Sequence, residues 1–316
     1  MKMSVLLNTY NRADLLELAL TSYLIQTTGD FEVVVADDGS TDRTPELVEG
    51  FGRDAPFDVK YVRQEHEGHR RAAVLNRGIA ATRGDWILFS DCDSLAFPDL
   101  VELHAAHARP DRLLCGGYVR LEEAETAALT RDDVLERRFL ERMTFARRVE
   151  VWRKSTRAAW QILRRKPRRP HNMGLNYSCR REALVRINGY DENFRGWGSA
   201  DGDVRERLRR IGVRPYSLYG RALVMHMWHP VEKTKTPDSV RRNRVYASRG
   251  EIPIFCERGL RKISIQGGSQ PAPMTAIPSS RSRRENQTPR WGLYLSSPAG
   301  RCRWGAGFRV SNLRKR

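Results

Sequence analysis

The sequence of 316 residues lacks the patterns that most often mark a bound nucleotide or a structural metal. It contains no GxGxxG and no GxxxxGK[ST], so neither of the two usual glycine-rich phosphate loops is present. Its five cysteines include no CxxC pair, which indicates neither a zinc site nor a dithiol redox motif. Such an odd and scattered set of cysteines fits a reducing compartment.

Long apolar runs are also missing. No run reaches the roughly 18 residues needed to span a bilayer, and residues 4–7 are too few for a signal peptide. We therefore expect a cytoplasmic protein, with contact at the inner membrane face left open. Acidic residues are few, because 38 Asp and Glu stand against 56 Lys and Arg and give a formal net charge of +18. This excess favours nucleic acid, acidic membrane surfaces or phosphorylated substrates without choosing among them.

Apolar runs and helical spacings alternate along the first third of the chain. This β-α-β order predicts a mostly parallel sheet flanked by helices, in one large α/β domain. Strands are predicted at 4–7, 31–36, 59–62, 86–89, 113–119, 171–179, 213–218 and 222–225. Helices are predicted after the first strand, from about residue 44, up to residue 81, within 122–163 and at 181–187.

Two of the predicted strands end directly in acidic turns. Asp37 and Asp38 follow the strand at 31–36, and Asp91 and Asp93 follow the strand at 86–89. Residues i and i+2 of an extended chain point to the same side, so Asp91 and Asp93 can converge on one cation. Carboxylate oxygens at the carboxyl end of a parallel strand suit Mg²⁺ or Mn²⁺ held together with phosphates. Either turn alone is ordinary, but both in this order indicate a ligand site.

Residues 3–110 resemble the nucleotide-binding half of a GT-A glycosyltransferase of family 2. The resemblance rests on residues 9–12, the turn at 36–42, the run Asn76-Arg77-Gly78 and the pair Asp91 and Asp93. It implies the GT-A fold, with a Rossmann-like and mostly parallel sheet, and a UDP-sugar donor. It also implies that Asp37 contacts the uracil, that Asp91 contacts the ribose or the metal, and that Asp93 binds the metal.

Other donor contacts are implied by the same resemblance. Either Arg70 or Arg71, just before the helix that carries Asn76, is expected to reach the diphosphate, and a solvated helix face is the alternative for both. The positions carried over to substrate binding are Thr9, Asn11, Arg12, Asp37, Asp38, Arg70, Asn76 and Asp91.

A second cluster lies at residues 190–203. Gly196-Trp197-Gly198 places a large flat ring in a flexible turn, and Trp197 can form the floor of a sugar pocket. Asp201 follows at the start of a predicted helix, where the helix dipole keeps a carboxylate ionised; this suits a general base, and an N-cap is the alternative. The cluster resembles the Gly-Trp-Gly-x-Glu-Asp stretch of family 2 and related galactosyl- and N-acetylgalactosaminyltransferases. That resemblance makes Asp201 the catalytic base, while Ala200 stands where those enzymes have the Glu that helps hold the acceptor.

Two histidines follow the last predicted strand, in the run His226-Met227-Trp228-His229-Pro230. A lone histidine is more often structural than a ligand. The resemblance implies a third protein ligand to the metal at this place, with His226 as the first candidate and His229 as the reserve. The expected cofactor is therefore Mn²⁺ or Mg²⁺ on Asp91, Asp93 and His226.

Basic residues concentrate at about 131–170 and beyond residue 262. Residues 152–170 contain no acidic residue, and Trp152, Ala159, Trp160 and Leu163 fall near one helical face. A helix packed on the domain with a basic solvated face is favoured over a helix lying in an anionic membrane interface. We expect one catalytic domain at 1–262, with a nucleotide-sugar half at 1–110 and an acceptor half at 111–262. Residues 263–316 are rich in Pro, Ser, Gly and Arg and are expected to be disordered.

Together these features predict an inverting, metal-dependent glycosyltransferase. It would move a hexose or an N-acetylhexosamine from a UDP-sugar to a glycan or lipid-linked glycan, in cell-surface polysaccharide synthesis. A nucleic-acid-binding protein is the alternative that the net charge motivates, but the predicted cleft is acidic, and we expect no nucleic-acid partner. A sugar-nucleotide-binding protein without activity is the alternative that Ala200 motivates.

Overall fold

The computed structural model describes residues 2–164, 166, 170–171, 174–230 and 235–262. In these residues the strands are β1 (Met3–Thr9), β2 (Phe31–Asp37), β3 (Val59–Arg63), β4 (Trp86–Asp91), β5 (Ser94–Ala96), β6 (Arg112–Arg120), β7 (Tyr177–Arg180) and β8 (Arg214–His226). The α-helices are α1 (Ala13–Leu24), α2 (Thr44–Asp54), α3 (Arg71–Ala81), α4 (Leu100–His107), α5 (Glu123–Ala127), α6 (Arg131–Leu135), α7 (Phe145–Leu163), α8 (Arg181–Arg186), α9 (Ala200–Arg210) and α10 (Pro237–Ala247).

The strands form one mixed sheet in the order β3-β2-β1-β4-β7-β6-β8-β5. The first four strands are parallel to one another, which confirms the predicted β-α-β half. Strand β7 runs antiparallel between β4 and β6, and β5 runs antiparallel to β8 at the edge. In this register Asn8 lies between Ala36 and Asp91. The polar ends of β1, β2 and β4 therefore meet at one edge of the sheet.

The core lies on both faces of this sheet, because alternate residues of a strand point to opposite faces. Val5 and Leu7 of β1 pack on one face with Leu16 and Leu20 of α1. Leu6 packs on the other face with the buried side chains of α3. A near-continuous apolar run such as 5–7 is what a strand covered by helices on both sides requires.

The second half departs from the predicted elements. Residues 214–226 form one strand instead of the two predicted at 213–218 and 222–225, with an irregularity opposite Gly116 and Gly117. A Cβ on Gly117 would lie 2.2 Å from the carbonyl oxygen of Tyr219, so only glycine fits beside this bulge. The strand predicted at 171–179 is limited to β7, and β5 was not predicted.

The helix-forming segment predicted at 122–163 contains α5, α6, a 3₁₀ turn (Arg138–Arg142) and α7. Thr130 and Thr144 each accept a hydrogen bond from a backbone N–H as N-caps, and Arg137 has a φ of 63°. These caps and the left-handed residue stop one helix and start the next. The disorder predicted for residues 263–316 lies outside the described residues. Among the described residues, no helix has both the length and the apolar character to cross a bilayer.

A buried carboxylate ties β2 to its neighbours. Glu32 accepts hydrogen bonds from Ser4 Oγ at 2.6 Å and from Lys60 Nζ at 2.8 Å. Burial would raise the pKa of Glu32, but the hydrogen bonds from Lys60, Ser4 and the Arg83 amide lower it to about 2. The folded-state pKa thus lies below the ordinary value of 4.5, so this group stabilises the fold above that pH. The stabilisation is lost as the pH falls towards 2.

We expect this loss to be visible in the isosteric variant Glu32→Gln. Between pH 7 and pH 3 the wild type should lose about 2 kcal/mol more free energy of unfolding than the variant. Urea unfolding at both pH values measures the difference, with the exposed Glu46→Gln as control. The same loss in the wild type and in Glu32→Gln would contradict the assignment.

Candidate active site

Pairing of two distant strands builds a cluster of possible metal ligands. Ser94 of β5 lies opposite His226 of β8, and the Met227 amide donates to the Asp93 carbonyl oxygen at 2.8 Å. The Nε2 atom of His226 is 3.7 Å from Oδ1 of Asp93, and that of His229 is 3.1 Å from Oδ2. One ligand atom from each of these three side chains lies within 4.8 Å of the others. We call Asp93, His226 and His229 the Asp–His cluster.

The Asp–His cluster fits a divalent cation. Metal ligands at about 2.0–2.2 Å from one ion are spaced at about 3–4 Å, so the three side chains need to move little. The Nδ1 atom of His229 lies 2.8 Å from the carbonyl oxygen of Pro230, a backbone contact that leaves Nε2 facing Asp93. Arg12 Nη1 donates to Oδ2 of Asp93 at 3.4 Å, the same oxygen that His229 approaches.

Two of the three members of the Asp–His cluster carry the charge that suits metal binding. Burial would raise the pKa of Asp93, but the hydrogen bond from His229 and the charges of His226 and Arg12 hold it below its usual value. Burial lowers the pKa of His226, while the hydrogen bond to Asp93 raises the pKa of His229. Around neutral pH, Asp93 is ionised and His226 is neutral, which are the forms that bind a metal, whereas a cation would have to displace the proton that His229 shares with Asp93.

Arg71 joins acidic side chains from the two halves of the chain. It is the first residue of α3, and its Nη2 and Nη1 atoms donate to Asp91 and Asp201, each at 3.2 Å. Its Nε donates to Asn8 Oδ1 at 3.2 Å. Burial raises the pKa of Asp91 to about 6, against the opposing charge of Arg71. The three charged side chains, Asp91, Arg71 and Asp201, are called the Arg71 bridge below.

Asp201 lies in the first turn of α9 and receives bonds from other elements. Its Oδ1 accepts a hydrogen bond from the hydroxyl of Tyr190 at 2.8 Å, in addition to the bond from Arg71. Tyr190 is buried and its hydroxyl contacts that of Tyr177. A Cβ on Gly174 would lie 3.0 Å from Asp201 Oδ2, so the chain closes tightly over this carboxylate. Asp201 is therefore held in place by more than its own helix.

The first acidic turn is held by one of its own side chains and by residues of β3 and of the segment before α3. Asp37 is fully buried, and its Oδ1 accepts from the Ser40 amide at 2.9 Å and from Ser40 Oγ at 2.6 Å. Its Oδ2 accepts from the Tyr61 hydroxyl and lies 3.6 Å from Arg63 Nε. The buried Asp38 accepts from the Arg70 amide at 2.9 Å. The contact of Asp37 with uracil stays a prediction.

Residues after β1 connect this turn to the Asp–His cluster. Asn11, at a φ of 48°, accepts through Oδ1 from the Thr41 amide at 2.7 Å, and its own amide donates to Ser40 Oγ at 2.8 Å. The next residue, Arg12, reaches Asp93. Thr9 is buried in β1 opposite Asp37. The predicted residues Thr9, Asn11 and Arg12 thus lie between the two acidic turns.

Three more of the predicted substrate-binding residues have their side-chain partners elsewhere. Asn76 is buried and holds Tyr190, with Nδ2 donating to its carbonyl oxygen at 2.9 Å and Oδ1 accepting from its amide at 2.8 Å. Arg70 forms an ion pair with Glu67 at 2.8 Å. Trp197 is 43% exposed, and Lys235 Nζ lies 4.1 Å from the centre of its ring. Their contacts with substrate stay predictions.

Sequence reasoning missed Tyr190 and Gly174 and put Arg70 ahead of Arg71. Since α3 begins at Arg71, its side chain lies at the first turn of the helix, facing the strand ends. A helix predicted to begin at Arg71 would have made Arg71, and not Arg70, the residue expected to reach the ligand. Nothing in the local sequence indicates the contacts of Tyr190 and Gly174 with Asp201.

The chain matches known protein families and curated proteins. Residues 4–169 match the model of glycosyl transferase family 2, and residues 155–230 match the model described as the N-terminal domain of galactosyltransferase. The chain is 34% identical over 234 residues to validoxylamine A glucosyltransferase of Streptomyces hygroscopicus subsp. jinggangensis, covering 67% of this chain and 52% of that protein. It is 28% identical over 272 residues to chondroitin synthase of Escherichia coli, covering 80% and 39%.

Among solved structures, the chain resembles a mannosyltransferase from Pyrobaculum calidifontis in complex with GDP-Man and Mn²⁺. That match has 21% identity and a TM-score of 0.49, and covers 73% of this chain and 57% of that one. The chain spans about half the length, or less, of these two curated relatives. The family model covers more than half of the chain, in the region that carries both acidic turns. This protein belongs to glycosyl transferase family 2.

Proposed function

We propose that this protein is an inverting, metal-dependent glycosyltransferase with a UDP-sugar donor. The observation that carries the proposal is the Arg71 bridge, in which Asp201 of the second half lies beside Asp91 of the first. Asp91 in turn is two residues from Asp93, a member of the Asp–His cluster. A candidate base and a candidate cation site therefore lie near the same carboxylate, Asp91, and a single displacement at a sugar carbon requires such proximity.

Asp201 has the properties of a general base for this reaction. Its carboxylate is half-buried and oriented by the Tyr190 hydroxyl and by Arg71. It takes the proton from the acceptor hydroxyl as that oxygen attacks the anomeric carbon. The bond from the anomeric carbon to the diphosphate breaks in the same step, and its electron pair leaves with the nucleoside diphosphate. One base and no covalent nucleophile are needed, so the configuration at the anomeric carbon inverts.

The donor set of the Asp–His cluster favours manganese over magnesium. Magnesium prefers oxygen ligands in near-ideal octahedral geometry, whereas imidazole nitrogens suit transition metals. Two of the three members, His226 and His229, offer nitrogen. Asp93, His226 and His229 would hold the cation, which would supply positive charge for the leaving diphosphate. The guanidinium group of Arg12 adds positive charge beside Asp93, and that of Arg71 adds it beside Asp91.

The acceptor side is proposed from Trp197 and from the relatives. An exposed indole beside the first turn of α9 offers a flat apolar face to a sugar ring, and Asn243 Nδ2 holds its carbonyl oxygen at 3.1 Å. The proposed reaction moves a hexose or an N-acetylhexosamine from the UDP-sugar to a glycan or lipid-linked glycan acceptor at this surface, as in cell-surface polysaccharide synthesis. Chondroitin synthase, one of the relatives, is named for polysaccharide synthesis.

Calorimetric titration with UDP, with and without Mn²⁺, tests the donor and the cation together. We expect UDP to bind tightly only with Mn²⁺, because the cation links the Asp–His cluster to the diphosphate. If UDP does not bind but another nucleoside diphosphate does, the donor carries a nucleobase other than uracil. The proposed reaction and cation site would be unchanged. Failure with all nucleotides would overturn the proposal. Binding without transfer to any glycan, and without donor hydrolysis, would favour an inactive sugar-nucleotide-binding protein.

A further inference from the structure

Helix α7 carries large apolar side chains on the face that points to solvent. Phe145 is 83% exposed, Trp152 54%, Trp160 59% and Leu163 73%. Their spacings of seven, eight and three residues place them along one side of the helix. We call these four side chains the α7 stripe. Scattered single apolar residues are normal on a surface, but four large ones along the same side of a helix are more than a scatter.

The opposite side of α7 attaches the helix to the domain. Val151 and Ala158, seven residues apart, are the buried residues of the helix, and Val151 packs with Val119 and Leu223. Ser155 lies against Gly220 of β8. The helix thus packs on the sheet as favoured from the sequence, but through small and aliphatic residues. The tryptophans of α7 lie on its exposed side.

The charges beside the α7 stripe are mainly positive, and Glu150, the one acidic residue of α7, forms an ion pair with Lys154 at 2.7 Å. Arg153, Arg157 and Arg164 are exposed and follow one another at spacings of four and seven residues, on one flank of the stripe. The Arg164 guanidinium lies 5.4 Å from the centre of the Trp160 ring. The segment from Trp152 to Arg164 contains no acidic residue. An apolar stripe with a basic flank matches an interface that is apolar inside and anionic at its edge.

The positive charge of α7 also argues against other partners for the α7 stripe, namely residues 263–316, a second copy of this chain and nucleic acid. Residues 263–316 contain nine Arg and one Lys against one Glu, so this segment has the same sign as the helix. A second copy would bring the same basic flank into contact with itself, which is unfavourable. Nucleic acid would meet the arginines, but protruding Phe145 and Leu163 offer it no charge or hydrogen bond. Anionic lipid satisfies both the arginines and the apolar side chains.

We propose that the α7 stripe and its arginines dock this protein on an anionic membrane surface. The helix of 19 residues is about 28 Å long and lies along the surface, with the aromatic rings at the headgroup level. Beneath it, Leu223 of β8 is three residues from His226, so the docked face and the Asp–His cluster share one strand. A lipid-linked acceptor would then be presented close to the site. This docking does not depend on the proposed reaction.

Vesicle co-sedimentation of the full chain, without donor or acceptor, tests the proposal. The probe is phosphatidylcholine vesicles with and without phosphatidylglycerol. We expect binding to the anionic vesicles that weakens as salt is raised. The pair Arg153→Gln with Arg157→Gln should bind about 30-fold more weakly, the loss expected for two cationic contacts with an anionic surface. The pair Trp152→Ser with Trp160→Ser should bind at least about tenfold more weakly.

A matched control is available on α10, where Val245 and Arg242 are also exposed. Val245→Ser with Arg242→Gln removes the same chemistry from another helix and should leave vesicle binding unchanged. Equal binding by wild type and the α7 variants would overturn the proposal. So would self-association in sedimentation velocity that the tryptophan variant abolishes, or tight RNA binding that the arginine variant alone abolishes. All the changed side chains are exposed, and thermal unfolding of each variant verifies the fold.

Discussion

Asp201→Asn should lower the turnover of sugar transfer by about 10²–10⁴-fold, the contribution of a positioned general base. The change keeps the shape of the side chain, and the amide oxygen can still accept from Tyr190 and Arg71. What is lost is the ability to take the acceptor proton. Binding of UDP with Mn²⁺ should change little, because Asp201 belongs to the acceptor side. Initial rates with saturating donor and a titration with UDP separate the two effects.

Glu206→Gln is the matched control for this variant. Glu206 lies on the same helix, α9, and forms an ion pair with Arg209 at 2.6 Å. It should keep wild-type turnover, which shows that an amide on α9 is not harmful in itself. Wild-type turnover in Asp201→Asn would remove the base assignment. Loss of UDP binding in Asp201→Asn would instead indicate that the Arg71 bridge holds the donor site together.

The parallel half of the fold follows from local patterns. Strands β1, β2 and β4 are apolar runs that end at polar turns, and these runs predict both the strand and its ligand-binding end. The second half does not follow in this way. Strand β5 has three residues and forms because β8 pairs with it. A pairing partner some 130 residues away leaves no periodic signal in so short a segment.

In the candidate site, too, some features can be predicted from local sequence and others depend on the folded topology. Asp91 and Asp93 are visible as an acidic pair after a strand, and His226 as a polar residue after another. The Arg71 bridge spans 130 residues between Arg71 and Asp201, and only the folded topology brings these side chains together. The pairing also changes the roles that the sequence suggests: Asp93 meets the histidines, whereas Asp91 meets Arg71.

Because Asp93, and not Asp91, meets the histidines, we expect UDP binding by Asp93→Asn to lose its dependence on the metal. Asp93 is the single carboxylate of the Asp–His cluster, so its removal leaves two neutral donors for a divalent cation. We expect the affinity for Mn²⁺ to fall by more than about 100-fold, since loss of an outer partner alone costs 10–100-fold. UDP binding should then no longer respond to Mn²⁺. Transfer should fall with it.

Asp91→Asn decides between the two acidic side chains. Because Asp91 pairs with Arg71 at 3.2 Å, its amide variant should retain a Mn²⁺-dependent response to UDP. Loss of that response in Asp91→Asn as well would make Asp91 a metal ligand, as the resemblance implies, and would require Arg71 to release it when the cation binds. Retention of the response in Asp93→Asn would remove the Asp–His cluster as the cation site. His226→Ala and His229→Ala complete the series, because each removes one nitrogen donor and should weaken Mn²⁺ binding separately.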